Sequence, residues 1–403
     1  MLVTLLRPHL SGACDPSEDQ LQFLYITDKS HHKSNNATPS MSTLSNYTHC
    51  IKRLLVDIGY RDEPLPAYDS GNYWGPFHSW MLEELGPTST WSLTQLNELE
   101  HAAGGLMERS YPSASLELKL LYAKLTAIAI LIDDSLEDDA VHADILQFSH
   151  RLYLGHAQEN GMLALYHENM KELSSAYGND AVLRGLAIAP WINYIDACLV
   201  EKMVFTTQRD QAAISPSTRH SPAFAEADAL APKFPHYLRS KSGIAEAYAA
   251  GILKATQEQN IPLSRYIRIL PDLTFFIEVM NDVLSFHKEE LTGETYNLIQ
   301  LRTRSLSSSG ARGSGFDEEW TAHDTLLLLC DELRATTHRI DRMLRLEECE
   351  AKMRGETANV DIDEVDLEIA RQWRGWRDGY ISWHFECRRY KLSPLKAMTL
   401  GDK

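Results

Sequence analysis

From Leu44 to Leu392, apolar residues recur at spacings of three and four, the period of one helix face, and runs that alternate every second residue are few. The spacing predicts helices over 42–60, 92–109, 114–138, 140–156, 160–177, 179–206, 236–256, 272–291, 317–348 and 364–391. Local signals support several ends. Ser92 stands where an N-cap belongs, Pro271 precedes the 272–291 segment and Gly293 follows it. The fold class expected is all-α, a single-domain helical bundle, because no linker divides the helical run. Residues 1–44 look unlike the rest: the segment DKSHHKSNNATPSMSTLSN is polar with little apolar periodicity, so they read as a disordered tail, and Met41 is a candidate natural start. The organised domain is expected over 45–395, with a short C-terminal tail over 396–403. Two loops interrupt it. Residues 207–234 contain Pro216, Pro222 and Pro232, and 303–316 are rich in Ser and Gly, which suits a mobile lid.

The composition, 44% hydrophobic and 24% charged over 403 residues, is that of an ordinary globular chain. Lys plus Arg is 39 and Asp plus Glu is 56, a formal charge of −17. That excess argues against a nucleic-acid binder, which needs a basic footprint, and against docking on anionic membranes. The longest strongly apolar stretch, Leu125 to Ile132, is far shorter than the roughly 20 residues of a membrane span. Arg7 and Pro8 break the apolar N-terminus, which does not suit a secretory signal. The six cysteines are scattered with no CxxC pair, which suits a reduced, cytoplasmic protein with free thiols.

Four clusters could carry chemistry. The first is LIDDSLEDDA, with Asp133, Asp134, Glu137, Asp138 and Asp139. Asp133 and Glu137 share a helix face, below the uncharged Ala129 and Thr126. Acids at a helix C-terminus oppose the helix dipole and one another, a conflict that a hard cation such as Mg²⁺ resolves. A solvated acidic helix end is the plainer alternative. The second is MNDVLSFHKEE. Asn281, Ser285 and Glu289 follow at steps of four, each advancing about 40°, so an amide, a hydroxyl and a carboxylate lie on one drifting stripe with Lys288 beside it. An amphipathic helix with incidental polar residues is its alternative.

The third cluster is HYLRSKSGIAEAY. Arg239 offers planar donors suited to phosphate, and the step Ser242–Gly243 weakens a helix locally. Taken alone the pattern is weak, and a surface arginine is the more frequent explanation. The fourth, DGYISWHFECRRYKL, sets Arg389 beside Tyr390, a charge and a hydroxyl for an oxyanion. A basic helix end complementing the dipole is its alternative.

Together, and in this order, the four clusters resemble those of the class I terpene synthases. Asp133-Asp134-Ser-Leu-Glu137 resembles the aspartate-rich motif of that family, and Asn281, Ser285 and Glu289 with Lys288 resemble its second metal triad. Arg239, Ser242 and Gly243 look like its diphosphate sensor, linker and effector, and Arg389–Tyr390 like its C-terminal pair. The segments NDVLSFHKE and GYISWHFECRRYKL are similar to the fungal trichodiene synthase-like group, which includes longiborneol synthase-like members. The resemblance covers roughly residues 45–395 and departs from trichodiene synthase at DDSLED, where Leu136 and extra acids stand, and in a longer Ser/Gly-rich loop and a longer segment around 350–365.

The resemblance implies a class I terpenoid synthase bundle, a lyase that cyclises a prenyl diphosphate. Farnesyl diphosphate is the expected substrate, with C10 and C20 diphosphates as alternatives. Three Mg²⁺ ions would be held by Asp133 and Glu137 on one side and by Asn281, Ser285 and Glu289 on the other. Arg239, Lys288, Arg389 and Tyr390 would bind the diphosphate. Phe276, Tyr380 and Trp383 are expected to line the cavity that holds the carbocation. The family often forms homodimers. A chain-elongating prenyltransferase would carry a second aspartate-rich motif where Asn281, Ser285 and Glu289 stand. A non-catalytic all-α binding protein would need none of these groups.

Overall fold

A computed structural model describes residues 41–62, 72–136, 138–214, 229–308, 320–356, 361–393 and 395–396. Among them there is no strand. The helices are α1 (Met41–Asp57), α2 (Trp74–Trp80), α3 (Leu93–Ser110), α4 (Leu116–Asp134), α5 (Asp139–Leu154), α6 (Gly161–Ala176) and α7 (Ala181–Ile214). They continue as α8 (Phe234–Ser242), α9 (Ala245–Ile252), α10 (Leu263–Tyr266), α11 (Leu270–Thr292), α12 (Leu298–Ser308), α13 (Ala322–Met343), α14 (Leu346–Met353) and α15 (Glu364–Glu386). A 3₁₀ turn, Arg388–Tyr390, follows α15.

Local chemistry sets the helix starts and stops. Ser92 caps α3 in a reciprocal capping box with Gln95, Thr321 does so with Asp324 for α13, and Asp363 with Asp366 for α15. The hydroxyl of Ser115 accepts from the backbone of Leu118 at the head of α4, and Asp138 caps α5. Gly293, at φ 70°, ends α11 in the left-handed conformation that glycine adopts at least cost.

The centre is α4, buried along its length from Leu118 to Ile132 and packed on α3 and α6. Helix α11 packs on α9 and α13, and α15 crosses α3. That crossing is very close: a Cβ on Gly379 would lie 1.9 Å from the carbonyl oxygen of Arg109. Trp191, Trp373, Trp376, Tyr122 and Tyr166 fill the interior. The hydroxyl of Tyr47 on α1 donates to the carbonyls of Val283 (3.1 Å) and Leu284 (3.3 Å), which ties the first helix to α11. No helix among the described residues is long and apolar enough to cross a membrane.

Several expected boundaries need correction. The predicted helix 236–256 is two helices, broken after Ser242, where Ile244 adopts φ 53°. Arg345, at φ 50°, likewise divides 317–348 into α13 and α14, and 364–391 ends as a helix at Glu386. Apolar spacing continues across each break, so periodicity alone cannot register the change of axis. Residues 303–308, expected in a loop, close α12: the Thr303 hydroxyl donates to the carbonyl of Ile299 (2.7 Å) and the Ser307 hydroxyl to that of Trp320 (2.9 Å). Residues 207–214 are the end of α7 and 41–44 the start of α1, rather than loop and tail. Of the expected loop over 207–234, residues 229–233 are described and Phe234 opens α8; 1–40, 215–228, 309–316 and 397–403 lie outside the described residues.

Candidate active site

Five parts of the bundle surround one cavity of about 500 Å³. Helix α4 brings Asp133 at its C-terminal end, and α11 brings Asn281, Ser285, Lys288 and Glu289. Arg239 and Ser242 come from the end of α8, and Gly243 from the break that follows it. Tyr380 and Trp383 come from α15, and Arg389 and Tyr390 from the terminal turn. Leu106, Ala129, Ile244 and Ile277 line the cavity and are buried, whereas Asp133 is half-exposed and Arg389 is 33% exposed. The cavity therefore joins a buried apolar surface to a charged wall that reaches solvent at Asp133 and Arg389. Tyr194 and Tyr248 add aromatic surface, their hydroxyls held by the Ala129 carbonyl (2.7 Å) and the Thr126 hydroxyl (2.9 Å).

Arg239 is the hub of the polar wall. Its Nε donates to both oxygens of Asp282 at 2.9 Å, and its Nη2 donates to Oδ1 of Asn281 (3.0 Å) and to the carbonyl of Glu278 (3.3 Å). Burial pulls its pKa down, but Asp282 and Glu278 more than offset this and keep the guanidinium charged. Across the mouth, Arg389 donates to Oδ2 (3.0 Å) and Oδ1 (3.3 Å) of Asp134 and lies 3.7 Å from Asp133. The terminal turn and α4 thus meet over the cavity.

The carboxylates are crowded. The surrounding protein and then Asp134 raise the pKa of Asp133, with Arg389 and Lys288 opposing. Burial and then Glu294 push Glu289 up to about 7. Burial and then Asp133 do the same to Glu201, also about 7. Oε2 of Glu289 is buried with no hydrogen-bond partner, and its Oε1 is 3.8 Å from Lys288 Nζ. Acids that raise one another's pKa, together with an orphaned carboxylate oxygen, fit a hard divalent cation, whose charge would relieve both. Among the described residues no three His, Cys, Asp or Glu side chains already converge as a metal site. The expected donors include an amide and a hydroxyl and are divided between α4 and α11.

Asp133, Arg239, Ser242, Gly243, Asn281, Ser285, Lys288, Glu289, Tyr380, Trp383, Arg389 and Tyr390 all line this cavity. Phe276 does not: it is fully buried, edge-on to Trp373 (5.1 Å) and Trp376 (6.4 Å), on the core side of α11. Its expected role is corrected to core packing. Glu137 lies outside the described residues. Sequence reasoning missed Glu201, Glu294, Tyr194 and Tyr248 as lining residues. Glu201 carried a usable signal, an acid following the apolar run ACLV.

No family model matches the chain. Among characterised proteins, it is 28% identical over 282 residues to terpene synthase BipA of Cochliobolus sativus, covering 70% of this chain and 71% of that one. It is 26% identical over 315 residues to an (E)-beta farnesene synthase of Metarhizium brunneum, covering 77% and 78%. It is 25% identical over 282 residues to longiborneol synthase CLM1 of Gibberella zeae, covering 70% and 68%. Among solved structures, a linalool/nerolidol synthase from Streptomyces clavuligerus superposes with a TM-score of 0.54 at 15% identity, over 81% of this chain and 99% of that one. A germacradien-4-ol synthase from Streptomyces citricolor gives 0.53 at 15% identity, over 81% and 96%. The chain is thus similar in sequence to fungal terpene synthases, and its all-α bundle is the terpene synthase fold.

Proposed function

We propose that this relative of the fungal terpene synthases is a Mg²⁺-dependent sesquiterpene synthase, which ionises farnesyl diphosphate, cyclises the allylic cation and releases diphosphate. The observation that carries this reading is one cavity with an apolar, aromatic surface facing acids and cationic donors from separate elements of the bundle. A volume of about 500 Å³ suits a small-molecule site. A relative named as an (E)-beta farnesene synthase favours the fifteen-carbon substrate.

Asp133, with Glu137, and Asn281, Ser285 and Glu289 would hold the metal. When bound, Mg²⁺ neutralises the diphosphate and stabilises it as a leaving group. Arg239, Lys288 and Arg389 supply charge-assisted donors to the phosphate oxygens. The hydroxyl of Tyr390 accepts from Asn281 Nδ2 (3.0 Å), so its own proton remains for an anion. The carbon–oxygen bond breaks heterolytically and the electron pair leaves with the diphosphate. The faces of Tyr380, Trp383, Tyr194 and Tyr248 stabilise the cation left behind. Leu106, Ala129 and Ile277 keep bulk water from it.

The test is incubation of purified protein with geranyl, farnesyl and geranylgeranyl diphosphates and Mg²⁺, with products identified by GC–MS. Cyclic fifteen-carbon products from the farnesyl substrate are expected. Conversion of only the C10 or C20 substrate would replace the chain length. Conversion of none would favour a binding protein.

A further inference from the structure

His384 is completely buried on α15, one turn past Tyr380 and six residues before Tyr390. Its Nδ1 is 2.8 Å from the carbonyl of Tyr380 and its Nε2 is 3.1 Å from Nδ2 of Asn281. A carbonyl can only accept, so Nδ1 carries the proton and Nε2 is left as an acceptor. The same logic fixes the amide of Asn281. Arg239 only donates, so the atom it meets at 3.0 Å is the amide oxygen. The two hydrogens of Nδ2 then go to His384 Nε2 and to the Tyr390 hydroxyl at 3.0 Å. Each of these contacts pairs a donor with an acceptor, and reversing the amide would break two of them at once, those to Arg239 and to His384 Nε2. Three aromatic rings hold the imidazole in place: Tyr380 (4.5 Å, 90°), Trp383 (4.6 Å, 75°) and Tyr390 (4.4 Å, 49°).

We propose that His384 is a positioning residue: its Nδ1–H tautomer locks the amide of Asn281 with the oxygen toward the cavity. By holding the amide nitrogen, it also leaves the Tyr390 hydroxyl as an acceptor whose own proton is free for an anionic ligand. Groups that orient a ligating side chain contribute typically 10- to 100-fold to metal affinity. The proposal rests on the reading of Asn281 as a metal donor, and it adds a residue that touches neither metal nor substrate.

The experiment compares wild type with His384→Phe and His384→Gln. Phe keeps the ring volume but offers no acceptor, whereas the Gln side-chain oxygen reaches close to the Nε2 position. Calorimetry measures inorganic pyrophosphate binding over a Mg²⁺ titration, a readout that needs no turnover. In His384→Phe, Mg²⁺-dependent binding is expected to weaken about 10- to 100-fold, with most of the loss recovered in His384→Gln. Binding undiminished in His384→Phe overturns this proposal alone. No binding by wild type at any Mg²⁺ concentration overturns the functional reading and this proposal with it. Nitrogen-15 histidine NMR of wild type tests the tautomer even if His384→Phe does not fold. A protonated Nδ1 and bare Nε2 are expected at neutral pH, and a protonated Nε2 overturns the proposal.

Discussion

Glu278 lies one turn before Asn281 on α11, 4% exposed, with its Oε1 buried and lacking any hydrogen-bond partner. Burial pushes its pKa from 4.5 to about 7, Arg239 opposing and Asp282 and Glu246 adding to the rise. The native state therefore keeps a proton that the unfolded chain releases. Stability from this group is present below about pH 4.5 and is lost as pH rises to about 7. At about 1.4 kcal/mol per pH unit, that window is worth at most about 3.5 kcal/mol, and relaxation of Arg239 toward the ionised acid lowers it. Glu278→Gln removes the ionisation and keeps the shape. Urea unfolding of metal-free wild type and variant at pH 5, 6, 7 and 8 measures the difference. The difference is expected to be smallest at pH 5, below about 1 kcal/mol, with the variant gaining a further 1–3 kcal/mol, to order of magnitude, by pH 8. Glu201 and Glu289 also have pKa values near 7, so both proteins lose stability with pH, and only the difference between them reports on Glu278. Parallel profiles across the range would refute the reasoning.

Gly379→Ala places a methyl 1.9 Å from the Arg109 carbonyl oxygen, backbone that cannot step aside, so α3 and α15 must part. A loss of about 1–3 kcal/mol or more is expected in urea unfolding, and unchanged stability would contradict that crossing. Cys50 on α1 and Cys330 on α13 have their sulfurs 3.0 Å apart. Treatment with hydrogen peroxide, itself reduced to water, is expected to join them as a disulfide in a non-reducing peptide map, with Cys198 and Cys349 still alkylated after unfolding. Recovery of both Cys50 and Cys330 as free thiols would contradict the docking of α1. Tyr390→Phe removes a hydroxyl that accepts from Asn281 and that, on the proposed function, would donate to the diphosphate. Its kcat/KM with farnesyl diphosphate is expected to fall about 10- to 100-fold, the worth of a hydrogen bond to a charged group.

Much of this was legible in the residues because helices translate spacing into direction. Asn281, Ser285 and Glu289 recur every fourth residue, and a straight α11 turns that recurrence into one wall of the cavity. Tyr380 and Trp383 face inward for the same reason on α15. Phe276 shows the limit: its place near the triad suggested the cavity, but its side of the helix meets Trp373 and Trp376. The break at Ile244 was visible only as a weak Ser–Gly step, since its cause is a single left-handed residue with helical periodicity on either side. Glu201 and His384 were missed because their roles come from long-range neighbours, Asp133 for the first and Asn281 for the second. A hydrogen bond between residues 103 apart leaves no spacing to read.

The central claim is that residues from both walls of one cavity carry a metal-dependent ionisation. Its most direct test is diphosphate release from farnesyl diphosphate by wild type with Mg²⁺, by wild type in excess EDTA, and by Asn281→Ala with Mg²⁺. Release by the first, and loss of release in the other two with the helical circular dichroism of the variant unchanged, is the expected result. Undiminished release in EDTA, or wild-type turnover by Asn281→Ala, would contradict it.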